Sequence, residues 1–252
     1  MVNHLIKLFG YSVTIFFGDP AVFDRWRWLR KHLRSGPLRT LDAGCGSGAL
    51  TFYAAKRGNE AVGVSFQDRN NEVAKERARI LGLANAIFVE GDLRVLDTLK
   101  TKLGIFDQII CFETIEHILG DDKLIRDFAS ILKPGGQILL TAPYKHYNRI
   151  MGASISEVEN GSHVRWGYTH EEITTLFAKH SLVVTGRAYL TGLISQRLIR
   201  SYRLLSMYIP YRLVWALLFP LRICVALDQL VTKIFHYPYL SIAVVAEKRA
   251  LQ

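Results

Sequence analysis

The sequence predicts an α/β fold built on a doubly wound, mainly parallel sheet. Two observations carry the expectation. Short apolar runs alternate with amphipathic stretches from Thr40 onward, and a glycine-rich turn leads from the first run into a helix. Strands are expected near 39–43, 60–64, 86–90, 105–111 and 136–142, with helices between them near 48–57, 69–82, 93–100 and 121–132.

Residues 1–36 read as an N-terminal helical segment. Asp19-Pro20 supplies a cap and first-turn signal, and Ser35-Gly36-Pro37 ends the run. The remainder, 37–252, reads as one α/β domain. Thr169 is an expected N-cap, with Glu172 three residues on completing a capping box. Two late strands are expected, Leu182 to Tyr189 and Tyr239 to Glu247. Between them lies an insertion, 190–236, which Pro210 and Pro220 should divide into two or three short helices. Its longest charge-free stretch in the second half, Leu213 to Leu221, is nine residues. That is too short for a spanning helix, which needs about 20 mainly apolar residues.

Half of the 252 residues are hydrophobic, which favours a buried core over general disorder. Cys45, Cys111 and Cys224 lie far apart with neither metal nor disulfide spacing, and no signal peptide is evident at the N-terminus. The expectation is a cytoplasmic protein. The net charge of +10 is unevenly placed: +5 in residues 1–40, −1 in 41–189, +5 in 190–236 and +1 in the last 16. The basic character therefore flanks the α/β core in two apolar-rich segments. That argues against nucleic acid as a partner and for a possible anionic membrane surface.

The turn itself is Leu41-Asp42-Ala43-Gly44-Cys45-Gly46-Ser47-Gly48. Glycines permit positive φ and a close backbone approach to a ligand, and the N–H groups of the following helix face a negative group. With Ala49 the spacing also satisfies the dinucleotide pattern, so the loop alone leaves two cofactors open.

Downstream features decide between them. Asp42-x-Gly44-x-Gly46-x-Gly48, Glu90-Gly91-Asp92-Leu93, the run from Phe106 to Glu113, and Leu132-Lys133-Pro134-Gly135-Gly136 follow in order. Residues 41–142 thereby resemble the core of class I S-adenosylmethionine-dependent methyltransferases. The resemblance implies a Rossmann-like seven-stranded sheet whose last strand is antiparallel, with S-adenosylmethionine as cofactor. It places the backbone around Asp42, Gly44, Cys45 and Gly46 at the methionine end. It sets Asp92 at the adenine amino group, with Leu93 beside the ring and Phe112 nearby.

One departure matters. Many members carry an acid at the end of the second strand for the ribose hydroxyls, and here that position is Ser65. Ser65-Phe66 resembles the cyclopropane fatty acid synthase and lipid methyltransferase branch. Ser65 and Phe66 would then lie along ribose and adenine, with Asn70 nearby, while Asp68 is expected to cap the next helix. The missing acid also counts against a dehydrogenase.

The run Glu113-Thr114-Ile115-Glu116-His117 follows the fourth strand, at the sheet edge where open α/β sheets bind ligands. It resembles the segment that ubiquinone-pathway O-methyltransferases associate with a divalent metal. His117, Glu116 and His163 are the candidate catalytic residues; a metal is not expected, though Glu113, Glu116 and His117 are its candidate ligands. Glu113 and Glu116 are expected to share a helical face. Tyr144, Tyr147, Arg165, Trp166 and Tyr168 are the candidate acceptor wall.

The insertion shapes the expectation for substrate. Leu193, Ile194, Leu198, Ile199, Tyr202 and Leu205 can form one helical stripe, and the apolar residues from Tyr208 to Phe219 are more than a soluble monomer leaves bare. A lipophilic small-molecule acceptor is expected (a lipid, quinone precursor, isoprenoid or other natural product), methylated on oxygen or carbon. Cyclopropanation of an unsaturated lipid is the near alternative, and the insertion is a lid, a membrane-surface element or a dimer interface.

Overall fold

Apolar runs with a period of two fold as strands whose alternate residues enter opposite faces of one sheet. In a computed structural model that describes residues 2–17, 19–149 and 154–249, seven strands form that sheet among the described residues. They are β1 (Arg39–Ala43), β2 (Glu60–Ser65), β3 (Ala86–Glu90), β4 (Phe106–Phe112), β5 (Leu132–Pro143), β6 (Leu182–Leu190) and β7 (Ser241–Lys248). Their order is β3-β2-β1-β4-β5-β7-β6. Strands β1 to β5 are parallel, and β7 lies antiparallel between β5 and β6. Strand order reverses between β1 and β4, so the carboxyl ends there open a crevice.

The helices are α1 (Val2–Phe9), α2 (Ser12–Phe16), α3 (Pro20–His32), α4 (Ala49–Lys56), α5 (Asp68–Leu81), α6 (Leu96–Leu103), α7 (Asp121–Ile131), α8 (His170–Ala178), α9 (Leu193–Leu205), α10 (Tyr211–Leu218) and α11 (Asp228–Ile234). They cover both faces of the sheet. In β4, Ile109 and Cys111 enter the core that also takes Phe128 of α7 and Phe177 of α8. Ile110 and Phe112 enter the other, against Trp28 and Leu29 of α3 and Ala54 and Ala55 of α4. The N-terminal segment is therefore part of the packed structure: α3 supplies one wall of the second core.

The caps at Asp19 and Thr169 form as expected. Asp19 accepts from the Ala21 N–H at 2.8 Å, and Thr169 and Glu172 make a reciprocal box at the start of α8. Three expectations need correction. Asp68 is the first residue of α5, and Gln67 takes the cap position without a side-chain bond. The helix expected from residue 93 begins as a 3-10 turn, Leu93–Val95, followed by α6. The fifth strand, expected from residue 136, begins at Leu132, so that Lys133 to Gly136 lies within β5 as an irregularity opposite Phe106 to Gln108, with Gly135 at φ +72°.

The insertion folds as α9, α10, a 3-10 stretch (Pro220–Leu227) and α11. Pro210 caps α10 and Pro220 opens the 3-10 stretch, so both prolines mark breaks, as proline's missing N–H requires. Buried Asp228 ties its two ends together, accepting from the Gly192 and Ile194 N–H groups at 2.7 Å each. Phe17, after α2, stacks on Trp215 of α10 with ring centres 4.2 Å apart. Ala21 of α3 packs with Ile199 of α9.

Candidate functional site

Two cavities lie side by side at the carboxyl edge of the sheet. The first, of about 330 Å³, follows the ends of β1 to β4 in turn. Gly44 and Gly46 come from the β1 turn, Ser65, Phe66 and Asn70 from the end of β2, Asp92 and Leu93 from the end of β3, and Thr114, His117 and Ile118 from beyond β4. Gly44 has φ +83°, and a Cβ there would collide with the Thr114 side chain, so this position needs glycine for conformation and for space. Asp42 does not line the cavity. Its carboxylate is buried and accepts from Thr51 Oγ1 at 2.6 Å, fastening the start of α4 to the end of β1. Burial, offset in part by that bond, raises the Asp42 carboxyl to about 6.

Cys45 also points away from this cavity, into a small core with Phe52, Ala74 and Phe88, and burial pushes its thiol up. Phe66 is largely exposed, with the Arg94 guanidinium 5.6 Å from its ring centre. Arg94 binds the Asp92 carboxylate through Nε and Nη2, at 2.9 and 2.6 Å, and holds it below the usual carboxylate range. Ser65 is buried at the cavity floor, and Asn70 donates to Gln67 Oε1 at 2.8 Å.

The second cavity, of about 390 Å³, is assembled from distant segments. Glu113, Glu116 and His117 follow β4; Pro143 ends β5 and Tyr147 follows it; Ser162 and His163 come from the loop before α8. Arg25 comes from α3, and Ile199 and Arg203 from α9. Glu113 has φ +47°, an unusual conformation for this residue type, and its carboxylate pairs with Arg25 at 3.0 Å. The shared helical face expected for Glu113 and Glu116 does not form, because only a single 3-10 turn, Ile115–His117, follows the strand. Both carboxylates reach the cavity nonetheless.

Glu116 has no solvent exposure, and among the described residues neither of its carboxylate oxygens has a hydrogen-bond partner. Burial, with the nearby Glu113 charge, pushes its carboxyl well above the ordinary range. His117 Nε2 is 4.0 Å from Glu116 Oε1, and the His117 ring meets the His163 ring edge-on at 4.7 Å between centres. Burial and the facing His117 lower the pKa of His163, which favours its neutral ring. One ligand atom each from Glu116, His117 and His163 lies within 4.8 Å of the other two. His117 lines both cavities.

The structure therefore joins His117, Glu116 and His163 in one place, and it puts His163 where Glu113 was expected among the metal-type donors, since Glu113 is turned to Arg25. Of the expected acceptor wall, Tyr147 faces the second cavity, and the other four lie elsewhere. Arg165 is tied to the Asp121 carboxylate and to the carbonyls of Ile118 and Leu119, both at 2.8 Å. Tyr168 is buried and donates to Asp121 at 2.8 Å. Trp166 lies beside a surface groove under the Arg149 guanidinium, and Tyr144 packs between His146 and Tyr189. Arg165 and Tyr168 instead anchor the loop that carries His163. Phe112, expected at the cofactor, turns into the second core against Trp28. Arg25, Thr114, Ile199 and Arg203 were not foreseen. Thr114 and Arg25 could have been: one lies inside a singled-out motif, and the other is the cation that a buried acid demands.

The profile of the methyltransferase domain family matches residues 35–181, more than half of the chain. Among curated relatives, a ubiquinone biosynthesis O-methyltransferase of Xanthomonas axonopodis is 31% identical over 118 residues, 46% of this chain and 48% of that protein. One from Coxiella burnetii is 26% identical over 175 residues, 66% of this chain and 73% of that protein. The chain thus spans about half the length of the first of these relatives. Phosphoethanolamine N-methyltransferase 2 of Haemonchus contortus, solved with S-adenosyl-L-methionine, superposes with a TM-score of 0.61 at 17% identity, covering 99% of this chain and 60% of that one. An S-adenosylmethionine-dependent methyltransferase of Mesorhizobium loti gives 0.59 at 16% identity, covering 89% and 97%. At these identities the likeness is one of fold.

Proposed function

The chain belongs to the class I S-adenosylmethionine-dependent methyltransferase family, and we propose that it methylates an oxygen or carbon of a lipophilic small molecule held in the second cavity. The observation that carries this reading is the position of His117 on the wall common to both cavities. A methyl donor in the first cavity and an acceptor in the second would meet at that residue. In the transfer, the acceptor atom forms a bond to the methyl carbon. The carbon–sulfur bond breaks with its electron pair going to sulfur, and the acceptor loses a proton. Alignment of the two partners and exclusion of water supply most of the rate, and a base is needed where the acceptor arrives protonated.

His117 is placed to take that proton, with Glu116 4.0 Å behind it. Burial and the nearby Glu113 charge raise the Glu116 carboxyl, which favours its protonated form, and a cation formed beside it would favour its ionised form. Glu116, His117 and His163 also suit a divalent cation, since two imidazoles and an orphaned carboxylate make a reasonable donor set. Such an ion would acidify an acceptor hydroxyl. The apolar residues Ile199, Leu240 and Ala21 at the second cavity support a lipophilic acceptor. Ubiquinone-pathway relatives, by name, act on oxygen, which supports oxygen over carbon.

Calorimetry with S-adenosylmethionine, followed by mass spectrometry of lipophilic extracts incubated with the protein and labelled cofactor, tests the reading. Heat of binding and a product heavier by one CH₂ are expected. The position of the added carbon separates a methoxy or C-methyl group from a cyclopropane ring. No heat with the cofactor would overturn the proposal.

A further inference from the structure

The insertion carries an apolar surface that the rest of the chain leaves uncovered. Among the described residues, Met207, Tyr208, Leu213, Leu217, Ile223 and Phe235 of this segment are each more than half exposed, Ile223 by 81%. Isolated exposed apolar residues are ordinary, but a run of this density marks a contact surface. The charge around it has one sign. Residues 190–236 hold six Lys or Arg and a single acid, Asp228. That acid is buried and consumed by the Gly192 and Ile194 N–H groups, so the outer face of the segment presents cations alone. Arg212 and Lys233 are exposed and have no ion pair among the described residues.

We propose that this insertion is a membrane-docking surface that lays its apolar side chains into the interface of an anionic bilayer. The chemistry of the surface selects this occupant over a second copy of the chain. Two like-charged faces brought together repel, whereas an anionic lipid surface attracts both cations and accepts the apolar side chains between them. The segment lies along the bilayer and does not cross it. Among the described residues no single helix is long and apolar enough to span; the pair Tyr211–Leu218 and Pro220–Ile234 has the length together but is bent by 53°. Tyr208 and Tyr211, both more than half exposed, add amphipathic rings that favour the headgroup level. Helix α9 of the same insertion lends Ile199 and Arg203 to the second cavity, so docking would set that cavity beside the lipid. The surface is independent of the chemistry proposed above and can be tested without any acceptor.

Flotation of the full chain with vesicles of equal parts phosphatidylglycerol and phosphatidylcholine, against phosphatidylcholine alone, reads the proposal directly. Binding is expected to the anionic vesicles and to weaken with added salt. The double variant R212Q/K233Q should lose roughly thirty-fold in affinity, as follows from removing two cations near such a surface, while keeping its affinity for S-adenosylmethionine. L217S/I223S, both at exposed positions, should bind anionic vesicles more weakly and also keep cofactor affinity. The proposal is overturned if the full chain fails to float with anionic vesicles. It is equally overturned if the chain sediments as a dimer that L217S/I223S converts to monomer while vesicle binding is unchanged.

Discussion

The two cavities differ in how they are assembled. The first cavity takes most of its walls from the ends of β1, β2, β3 and β4, joined by Glu159 and Gly161 from the loop before α8. The second cavity draws on α3, the turn after β4, the loop before α8 and the insertion, segments up to about 220 residues apart, from Asp19 to Leu240. The first follows mainly from strand order. The second is a consequence of what this chain packs around the sheet. His117, common to both, is the point at which the comparison can be tested hardest.

Replacing His117 with alanine should lower kcat by about 10²- to 10⁴-fold, the range of a lost general base, with the calorimetric affinity for S-adenosylmethionine within a few-fold of the parent. If cofactor affinity collapsed in parallel, His117 would belong to the first cavity alone and the division would fail. A near-normal kcat would remove it from proton transfer.

The second test concerns Asp42, which the fold uses as a fastener in the cofactor half. Its carboxyl rises to about 6 on folding, mainly through burial, so the folded state binds the proton more tightly than the unfolded state. Its contribution to stability is therefore greatest below the ordinary carboxyl range near pH 4 and declines as pH rises through about 6, by an amount on the order of 3 kcal/mol. In urea titrations across that window, Asp42→Asn, which can still accept from Thr51, should remove this part of the decline. An unchanged pH dependence would mean that the carboxylate is solvated.

The smallest effect is expected at Gly44. Alanine there meets both the positive φ and the Thr114 side chain, strain of about 1–3 kcal/mol. S-adenosylmethionine affinity should fall by about ten- to a hundred-fold, while kcat at saturating cofactor changes little. Thr114→Ala in the same background removes both nearest colliding atoms, Oγ1 and Cγ2, and should restore part of the affinity. A Gly44→Ala enzyme with normal affinity would show that the turn yields freely, and that the cofactor half is less rigid than its motif spacing implies.

Most of the fold was legible in the sequence, and so was part of the first cavity, although Asp42, Cys45 and Phe112 do not line it. Strand and helix periodicities differ, and the caps at Asp19 and Thr169 act within three residues, so local pattern suffices for such features. Ser65 ends β2, and Phe66, Asn70 and Leu93 lie within five residues of a strand end, so all four reach the first cavity. Side-chain direction was less legible. Phe112 lies at the right height on β4, but alternation along the strand sends it into the core against Trp28. Trp166 and Arg165 stand next to the loop that matters yet point to Arg149 and Asp121.

By itself, then, the sequence determined the sheet, the glycine turn and the run Glu113 to His117, because each depends on contacts between near neighbours and on strand order. Only the tertiary structure decided that α3 sends Arg25 to Glu113, that His163 closes on His117, and that the sole acid of the insertion is turned inward. Those outcomes depend on which distant segments come to share a cavity or a core. Burial then fixes which charges must pair, which are left protonated and which face the solvent.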